Sequence, residues 1–165
     1  MKNRSTQFLV QAAAIGAIYV VLTVMFAPIS FGEIQIRFSE ALTILPYFTP
    51  AAVPGLFVGC IIANFLGGAL PIDIIFGSIA TLIGAHFSRK LRGSKWLVPL
   101  PPIIANIVIV PFVLHYGYGI NLPIPFLMFT VGAGEMISCG VLGGILLNTL
   151  SRYGKLIFGR TSSAK

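Results

Sequence analysis

Long apolar runs dominate this chain, and short polar or Pro- and Gly-rich stretches separate them. A helix crosses the hydrocarbon core of a bilayer with about 20 apolar residues. The pattern predicts six helical spans, with boundaries good to a few residues, at about 7–27, 39–48, 53–66, 72–87, 97–114 and 126–150. The second and third spans are short for a bilayer of about 30 Å, so we expect them to be tilted, extended at their ends or partly re-entrant. The predicted fold is all-α, a polytopic membrane protein with six transmembrane helices.

Composition agrees with this fold class. Of the 165 residues, 56% are hydrophobic and only 9% are charged, whereas soluble domains carry about 25% charge. The length suits one integral membrane domain, residues 1–165, with short tails at about 1–6 and 152–165. The first apolar run is longer than the usual core of a cleaved signal peptide, so we expect a retained first helix.

The basic residues are concentrated in three segments: before the first span, between the fourth and fifth, and after the sixth. With six spans, all three segments fall on one side of the membrane, which the positive-inside rule makes cytoplasmic. We therefore expect both termini in the cytoplasm. This placement explains the net charge of +7 without a nucleic-acid partner, because no basic stretch is interleaved with aromatic residues for base stacking. The segments contain Lys2 and Arg4; Arg89, Lys90, Arg92 and Lys95; and Arg152, Lys155, Arg160 and Lys165.

The four acidic residues all lie outside or in the outer half of the predicted bilayer. Glu135 is the strongest signal, because it lies about nine residues, or ~13 Å, into the sixth span. An ionised carboxylate in hydrocarbon costs roughly 2.5–3.5 kcal/mol, so such a residue normally faces a polar cavity or a partner. Ligand binding is one interpretation of Glu135. A structural ion pair or a protonated, hydrogen-bonded glutamate is the other.

Glu33, Arg37 and Glu40 are spaced four and three residues apart. If this stretch is helical, the three side chains share one face. They then either bind a ligand or form a solvated cluster in which Arg37 neutralises its neighbours.

Two asparagines and one aspartate are further candidates. Asn64 and Asn106 lie in apolar helices and need partners when buried, so they either bind a ligand or join two helices. Asp73 follows Pro71 at the start of the fourth span, where capping of the helix N-terminus is the favoured alternative to binding. The candidate substrate-binding residues are therefore Glu135, Glu40, Glu33, Arg37, Asn64, Asn106 and Asp73.

No catalytic or metal-binding signature is present in the sequence. It contains no G-x-x-x-x-G-K-[ST], no H-E-x-x-H and no G-x-S-x-G. Cys60 and Cys139 lie inside apolar runs, where small core residues are expected rather than a disulfide framework or a metal site. We predict no enzymatic activity, no catalytic residue, no metal and no cofactor in this chain. The alternatives from other classes are an intramembrane enzyme and a passive channel, although no span shows the sustained polar stripe that lines a pore.

Small residues recur one turn apart in the first helix, as Ala13-x-x-x-Ala17 and Ala12-x-x-x-Gly16. Such pairs form a flat groove in which another helix packs closely. The groove serves either a partner subunit or packing within the chain.

Two stretches resemble one transporter family. "IQIRFSEALTILPYFTPAAVPGLFVGCIIANFLGG" (34–68) and "DIIFGSIATLIGAHFSRKLR" (73–92) resemble the QueT family of queuosine-precursor transporters, and the likeness extends over about 7–152. That family resembles the S components, or substrate-binding subunits, of energy-coupling factor (ECF) importers of the ABC class. The resemblance implies a multi-pass protein of the bacterial cytoplasmic membrane that docks through Ala13 and Ala17. Its partners would be a transmembrane coupling subunit and two cytoplasmic ATPase subunits, which use ATP.

The implied substrate is a 7-deazaguanine such as 7-aminomethyl-7-deazaguanine. A carboxylate accepts hydrogen bonds from the two adjacent N–H groups of a guanine-like edge, so Glu135 or Glu40 would bind this edge. Another acid, Glu33 or Asp73, would meet the ammonium group, and the asparagines would add amide hydrogen bonds. An S component for another small vitamin or base, such as the cationic thiamine, is the alternative within transport.

Overall fold

The computed structural model describes residues 2–27 and 37–157, with side chains at 4–27 and 37–153. All regular structure in these ranges is helical, which confirms the all-α prediction there. The helices are α1 (Lys2–Met25), a 3₁₀ helix (Phe38–Tyr47), α2 (Ala52–Leu66), α3 (Pro71–Lys90), α4 (Leu100–Phe112), α5 (Ile124–Glu135) and α6 (Gly143–Ile157). A π-helical segment, Val113–Gly117, extends α4, and a second one, Met136–Leu142, joins α5 to α6.

Within the described ranges, four helical stretches are long and apolar enough to cross a membrane: Arg4–Met25, Pro71–Lys90, Leu100–Gly117 and Ile124–Tyr153. They correspond to the first, fourth, fifth and sixth predicted spans. The third predicted span is α2, a shorter apolar helix of 15 residues. The second is the ten-residue 3₁₀ helix, which at about 2.0 Å per residue is shorter than the hydrocarbon core. Six complete spans and the orientation of the termini stay predictions.

The distribution of polarity differs from that in a soluble protein. Many large side chains on the outside are apolar, such as Phe65 and Phe129, which are 70% and 74% exposed. Charged and polar side chains are buried inside, among them Arg37, Glu40 and Glu135. An apolar exterior suits contact with lipid, and buried ionisable groups are typical of functional positions in membrane proteins.

Helices α1 and α2 approach each other through small residues. A Cβ atom added at Gly55 would lie 2.6 Å from the carbonyl oxygen of Ala12, and one added at Gly59 would lie 3.0 Å from the Cα of Gly16. Only a residue without a side chain fits at such distances. The Ala12-x-x-x-Gly16 pair therefore serves packing within the chain, which was one of the two interpretations of the sequence.

The 3₁₀ helix is held inside the helical body. Most of its residues are buried, including Glu40 in its first turn. Pro46 lies within it. Near its C-terminal end, the Arg89 guanidinium of α3 donates to the carbonyl oxygens of Pro46 at 2.9 Å and Tyr47 at 3.3 Å. These contacts satisfy carbonyl groups that the end of a helix leaves without a partner. Arg89, which the sequence suggested only as a topology signal, thus also fixes the helix that carries Glu40.

We expect Gly55→Ala to lower the free energy of unfolding by about 1–3 kcal/mol, because the new methyl group overpacks the contact with Ala12. Thermal unfolding of the detergent-solubilised protein measures the change. Gly140→Ala is the matched control, since a Cβ at Gly140 meets nothing within 4 Å. Equal stability of the two variants would contradict the close approach of α1 and α2.

Candidate functional site

Two carboxylates from different helices face each other at the centre of the structure. Glu40 belongs to the 3₁₀ helix and Glu135 to the end of α5, and their side chains are 1% and 5% exposed. One oxygen of each carboxylate and the Cys139 sulfur all lie within 4.8 Å of one another. The structure therefore brings together the two acids that the sequence placed about 95 residues apart.

Three of the four carboxylate oxygens have a hydrogen-bond donor. The Tyr19 hydroxyl of α1 donates to Glu40 Oε1. The Asn106 amide of α4 donates to Glu135 Oε1 at 2.8 Å, and the Cys139 thiol donates to Glu135 Oε2 at 3.1 Å. Glu40 Oε2 is buried and accepts no hydrogen bond from any described residue. The pair thus has one oxygen that can still accept a hydrogen bond from a ligand.

The change of helix type after Glu135 helps to place these groups. The π-helical segment begins at Met136, and such segments often occur at functional sites in otherwise α-helical stretches. Cys139, one turn after Glu135, also points its sulfur to the backbone oxygen of Glu40 at 3.4 Å. The Thr43 hydroxyl donates to the same oxygen at 2.6 Å and lies 3.2 Å from the Cys139 sulfur. Cys139 and Thr43 therefore tie the 3₁₀ helix to the π-helical segment.

A second buried polar cluster surrounds Arg37. Its guanidinium donates to Asn64 Oδ1 at 3.4 Å and forms an ion pair with Asp73 Oδ2 at 3.9 Å. The Tyr118 hydroxyl donates to the same Asp73 oxygen at 3.0 Å. Burial raises the pKa of the Tyr118 phenol, and the neighbouring Asp73 carboxylate also acts to raise it, so Tyr118 stays a donor at neutral pH. This cluster joins α2 and α3 to the start of the 3₁₀ helix and to the segment after α4.

The structure corrects two expectations about this cluster. Arg37 has extended backbone angles, φ −99° and ψ 108°, and only precedes the 3₁₀ helix, so Arg37 and Glu40 do not share one helical face. Arg37 instead pairs with Asp73. Asp73 lies in the first turn of α3, but the N-cap is Leu70 and no side chain caps this end. The capping role favoured for Asp73 is therefore wrong, because its carboxylate turns to Arg37 and Tyr118.

The seven candidate residues divide into three sets. Glu40, Glu135 and Asn106 meet in the first cluster. Arg37, Asn64 and Asp73 meet in the second. Glu33 lies outside the described residues. Both asparagines connect helices, which was one of the two interpretations given for them. Asn106 joins α4 to α5. Asn64 joins α2 to α3, because its amide also approaches the Asp73 carbonyl oxygen at 3.5 Å.

Sequence reasoning missed several residues of these clusters. Tyr19 is fully buried, and a buried Tyr hydroxyl usually requires a partner, so its position within the first apolar run was a usable signal. Cys139 is a free, buried thiol, as predicted, but it also contacts both carboxyl-bearing residues. Its i, i+4 spacing from Glu135 was a usable signal, whereas its contacts with Thr43 and Glu40 could not be read from local sequence, because these residues come from a distant part of the chain.

The first cluster is chemically an acceptor site. Its carboxylate oxygens are close enough to surround a small cation or to receive several N–H groups of one ligand. No Lys or Arg nitrogen within the described ranges lies at ion-pair distance from Glu40 or Glu135. The arrangement therefore suits a cationic or donor-rich molecule, and it does not by itself select a metal ion.

Apolar outer helices around buried hydrogen-bond acceptors define a helical membrane protein whose interior can bind a polar solute. Comparison with known proteins gives the particular family. The family model described as QueT transporter matches residues 9–152, and the chain belongs to this family of membrane transporters.

One curated relative is the "Queuosine precursor transporter QueT" of Lactococcus lactis subsp. cremoris (strain MG1363), which is 36% identical over 85 residues. The alignment covers 50% of this chain, and the chain spans about half the length of that relative. No solved structure matches the chain. The family resemblance found in the sequence is thus confirmed.

We expect Tyr19→Phe to destabilise the protein by about 1–3 kcal/mol, because Glu40 Oε1 loses its donor while it stays buried. Tyr116→Phe is the matched control, since the Tyr116 side chain is 71% exposed and surface substitutions usually change stability by no more than about 0.5 kcal/mol. Chemical or thermal unfolding in detergent measures both. Equal stability of the two variants would contradict a structural hydrogen bond between Tyr19 and Glu40.

Proposed function

We propose that this chain is the substrate-binding subunit of an ECF-type importer and that it captures a queuosine precursor of the 7-deazaguanine type from outside the cell. Membership of the QueT family supports the choice of substrate class, as does the name of the relative. The observation that carries the proposal is the pair of buried carboxylates, Glu40 and Glu135, with an acceptor oxygen unused among the described residues.

The chemistry of 7-aminomethyl-7-deazaguanine fits this pair. Its guanine-like edge presents adjacent N–H donors, and its aminomethyl group is cationic near neutral pH. One of the two glutamates accepts the edge in a bidentate manner, and the other lies close enough to meet the ammonium group. Because Asp73 is already engaged by Arg37 and Tyr118, we favour Glu40 and Glu135 together over Asp73 as the acids that meet this ligand.

The remaining candidate residues act around the pair. The Asn106 amide fixes the Glu135 carboxylate and turns toward the ligand when that carboxylate moves. The second polar cluster lies next to the acceptor site and bounds it on one side. It consists of Arg37, Asn64 and Asp73, and the charges of Arg37 and Asp73 cancel. Glu33 stays a proposed ligand of the ammonium group from the segment before Arg37.

Helix α1 supplies the docking face for the coupling subunit. Gly16 is buried against α2, whereas Ala13 and Ala17 are exposed. Two small exposed residues one turn apart allow a partner helix to approach closely. The partners are a transmembrane coupling subunit and two ATPase subunits, and ATP is used by the latter, since this sequence has no phosphate-binding loop. This chain is not itself an enzyme and requires no cofactor of its own.

The chain forms one multi-pass domain in the bacterial cytoplasmic membrane. The short α2 and the 3₁₀ helix complete six membrane segments with both termini inside. Positive charges on the α3–α4 connection and at the two ends support this orientation. The acceptor site then belongs to the outer half of the protein, where a solute arrives.

We expect Glu40→Gln and Glu135→Gln each to weaken binding of 7-aminomethyl-7-deazaguanine by at least about 2 kcal/mol, or roughly 30-fold, because each removes one charge that the ligand meets. Isothermal titration calorimetry on purified protein measures the affinity, with thiamine as the competing ligand. Ser78→Ala is the control, since it deletes a buried hydroxyl that has no partner among the described residues. Wild-type affinity in both Gln variants would discard the assignment of the site, and tighter binding of thiamine would discard the assignment of the substrate.

We expect Ala13→Leu with Ala17→Leu to abolish co-purification with the coupling subunit and ATPases while ligand affinity stays within about twofold, because the bulk is added on the outer face of α1. Ala14→Leu, also exposed on α1, is the control. If the double variant still assembles like the wild-type protein, this face is not the docking surface.

A further inference from the structure

We propose that Glu40 and Glu135 share one proton in the ligand-free protein and that a cationic ligand displaces this proton when it binds. The proposal takes its ligand from the proposed function and adds how the site selects a cation. Its basis is the geometry of the pair: both side chains are almost fully buried, and their oxygens approach within 4.8 Å. Two carboxylates that share a buried site do not both ionise readily, because their like charges repel.

Among the described residues, the groups around the pair leave its second negative charge without compensation. Tyr19 from α1 and Cys139 from the π-helical segment contact the pair, and Cys60 of α2 lies near Glu40; each of these groups is neutral when protonated. Arg37 is the one cation of the described residues that acts on the pair, and α3 supplies Asp73 as its ion-pair partner. From α4, the Asn106 amide faces the pair and carries no charge.

The hydrogen-bond pattern identifies the oxygen that would carry the proton. Tyr19, Asn106 and Cys139 donate to the other three carboxylate oxygens. Glu40 Oε2 alone has no donor among the described residues. A proton on this oxygen removes a buried, unsatisfied acceptor and supplies a donor beside a second carboxylate.

Exchange of this proton for a ligand cation conserves charge. Before binding, the pair with one proton has a net charge of −1. After binding, two ionised carboxylates and one ammonium group again sum to −1, and the proton leaves to solvent. If the proton stayed, a carboxyl O–H would confront the N–H donors of the ligand, and donors would face one another without an acceptor. Displacement therefore favours ligands that are both cationic and donor-rich.

Infrared difference spectroscopy tests the ligand-free state. We expect the wild-type protein at neutral pH to show the C=O stretching band of a protonated carboxylic acid. The double variant Glu40→Gln with Glu135→Gln should remove it, because no carboxyl group of the pair is left to carry the proton. Ser78→Ala should keep the band. Absence of the band from the wild-type protein would overturn the shared proton.

Calorimetry in two buffers of different ionisation enthalpy tests the displacement. We expect about one proton to be released for each 7-aminomethyl-7-deazaguanine bound, so that affinity falls by up to about tenfold per pH unit as acid refills the pair. The analogue with a nitrile in place of the aminomethyl group has no cation, and we expect it to release no proton. In Glu135→Gln, the cationic ligand should bind weakly and also release none.

The outcomes separate this inference from the proposed function. Tight binding of the cationic ligand without proton release overturns the displacement and leaves the function standing. If the nitrile analogue releases as many protons as the cationic ligand does, the inference that the site selects its ligand by charge is also overturned. If neither 7-deazaguanine binds while the infrared band is present, the proposed substrate and the displacement both fall, and the shared proton is upheld.

Discussion

An ionisable group inside an apolar protein must find either an opposite charge or hydrogen bonds, and this requirement organises the whole molecule. Arg37 and Asp73 meet it as an ion pair, while Glu40 and Glu135 meet it with donors from three separate parts of the chain. The cost of leaving such groups unsatisfied is several kcal/mol. Helices that contribute donors are therefore packed around the carboxylates, and the same contacts that stabilise the protein also form the proposed site for a polar solute.

The short 3₁₀ helix is important because it positions one of these carboxylates. A 3₁₀ helix of ten residues would be a poor membrane span, but enclosed by longer helices it can carry Glu40 to the centre. Arg89 fixes its C-terminal carbonyls, and Thr43 and Cys139 fix the carbonyl of Glu40. Close packing of α1 on α2 brings the Tyr19 hydroxyl to the same point. Loss of any of these supports would change the geometry of the carboxylate pair without touching it directly.

The sequence predicted the fold class and most helix positions, because hydrophobic run length is a direct consequence of the bilayer thickness. It also predicted that Glu135 and the asparagines need partners, since burial of a polar group has a known cost. It failed where the answer depended on tertiary contacts. The local i, i+3 spacing suggested that Arg37 faces Glu40, yet the chain is extended at Arg37 and a distant Asp73 pairs with it. The contacts of Cys139 with Thr43 and Glu40 were also missed, because these residues are nearly 100 positions away in the sequence.

The central claim is that one pair of buried carboxylates recognises the transported molecule. The most direct measurement is an experimental structure of the protein with 7-aminomethyl-7-deazaguanine bound. The account predicts N–H donors of the ligand within hydrogen-bond distance, about 2.7–3.2 Å, of oxygens from both Glu40 and Glu135. A ligand found elsewhere, with the two carboxylates still facing each other as in the ligand-free protein, would contradict it.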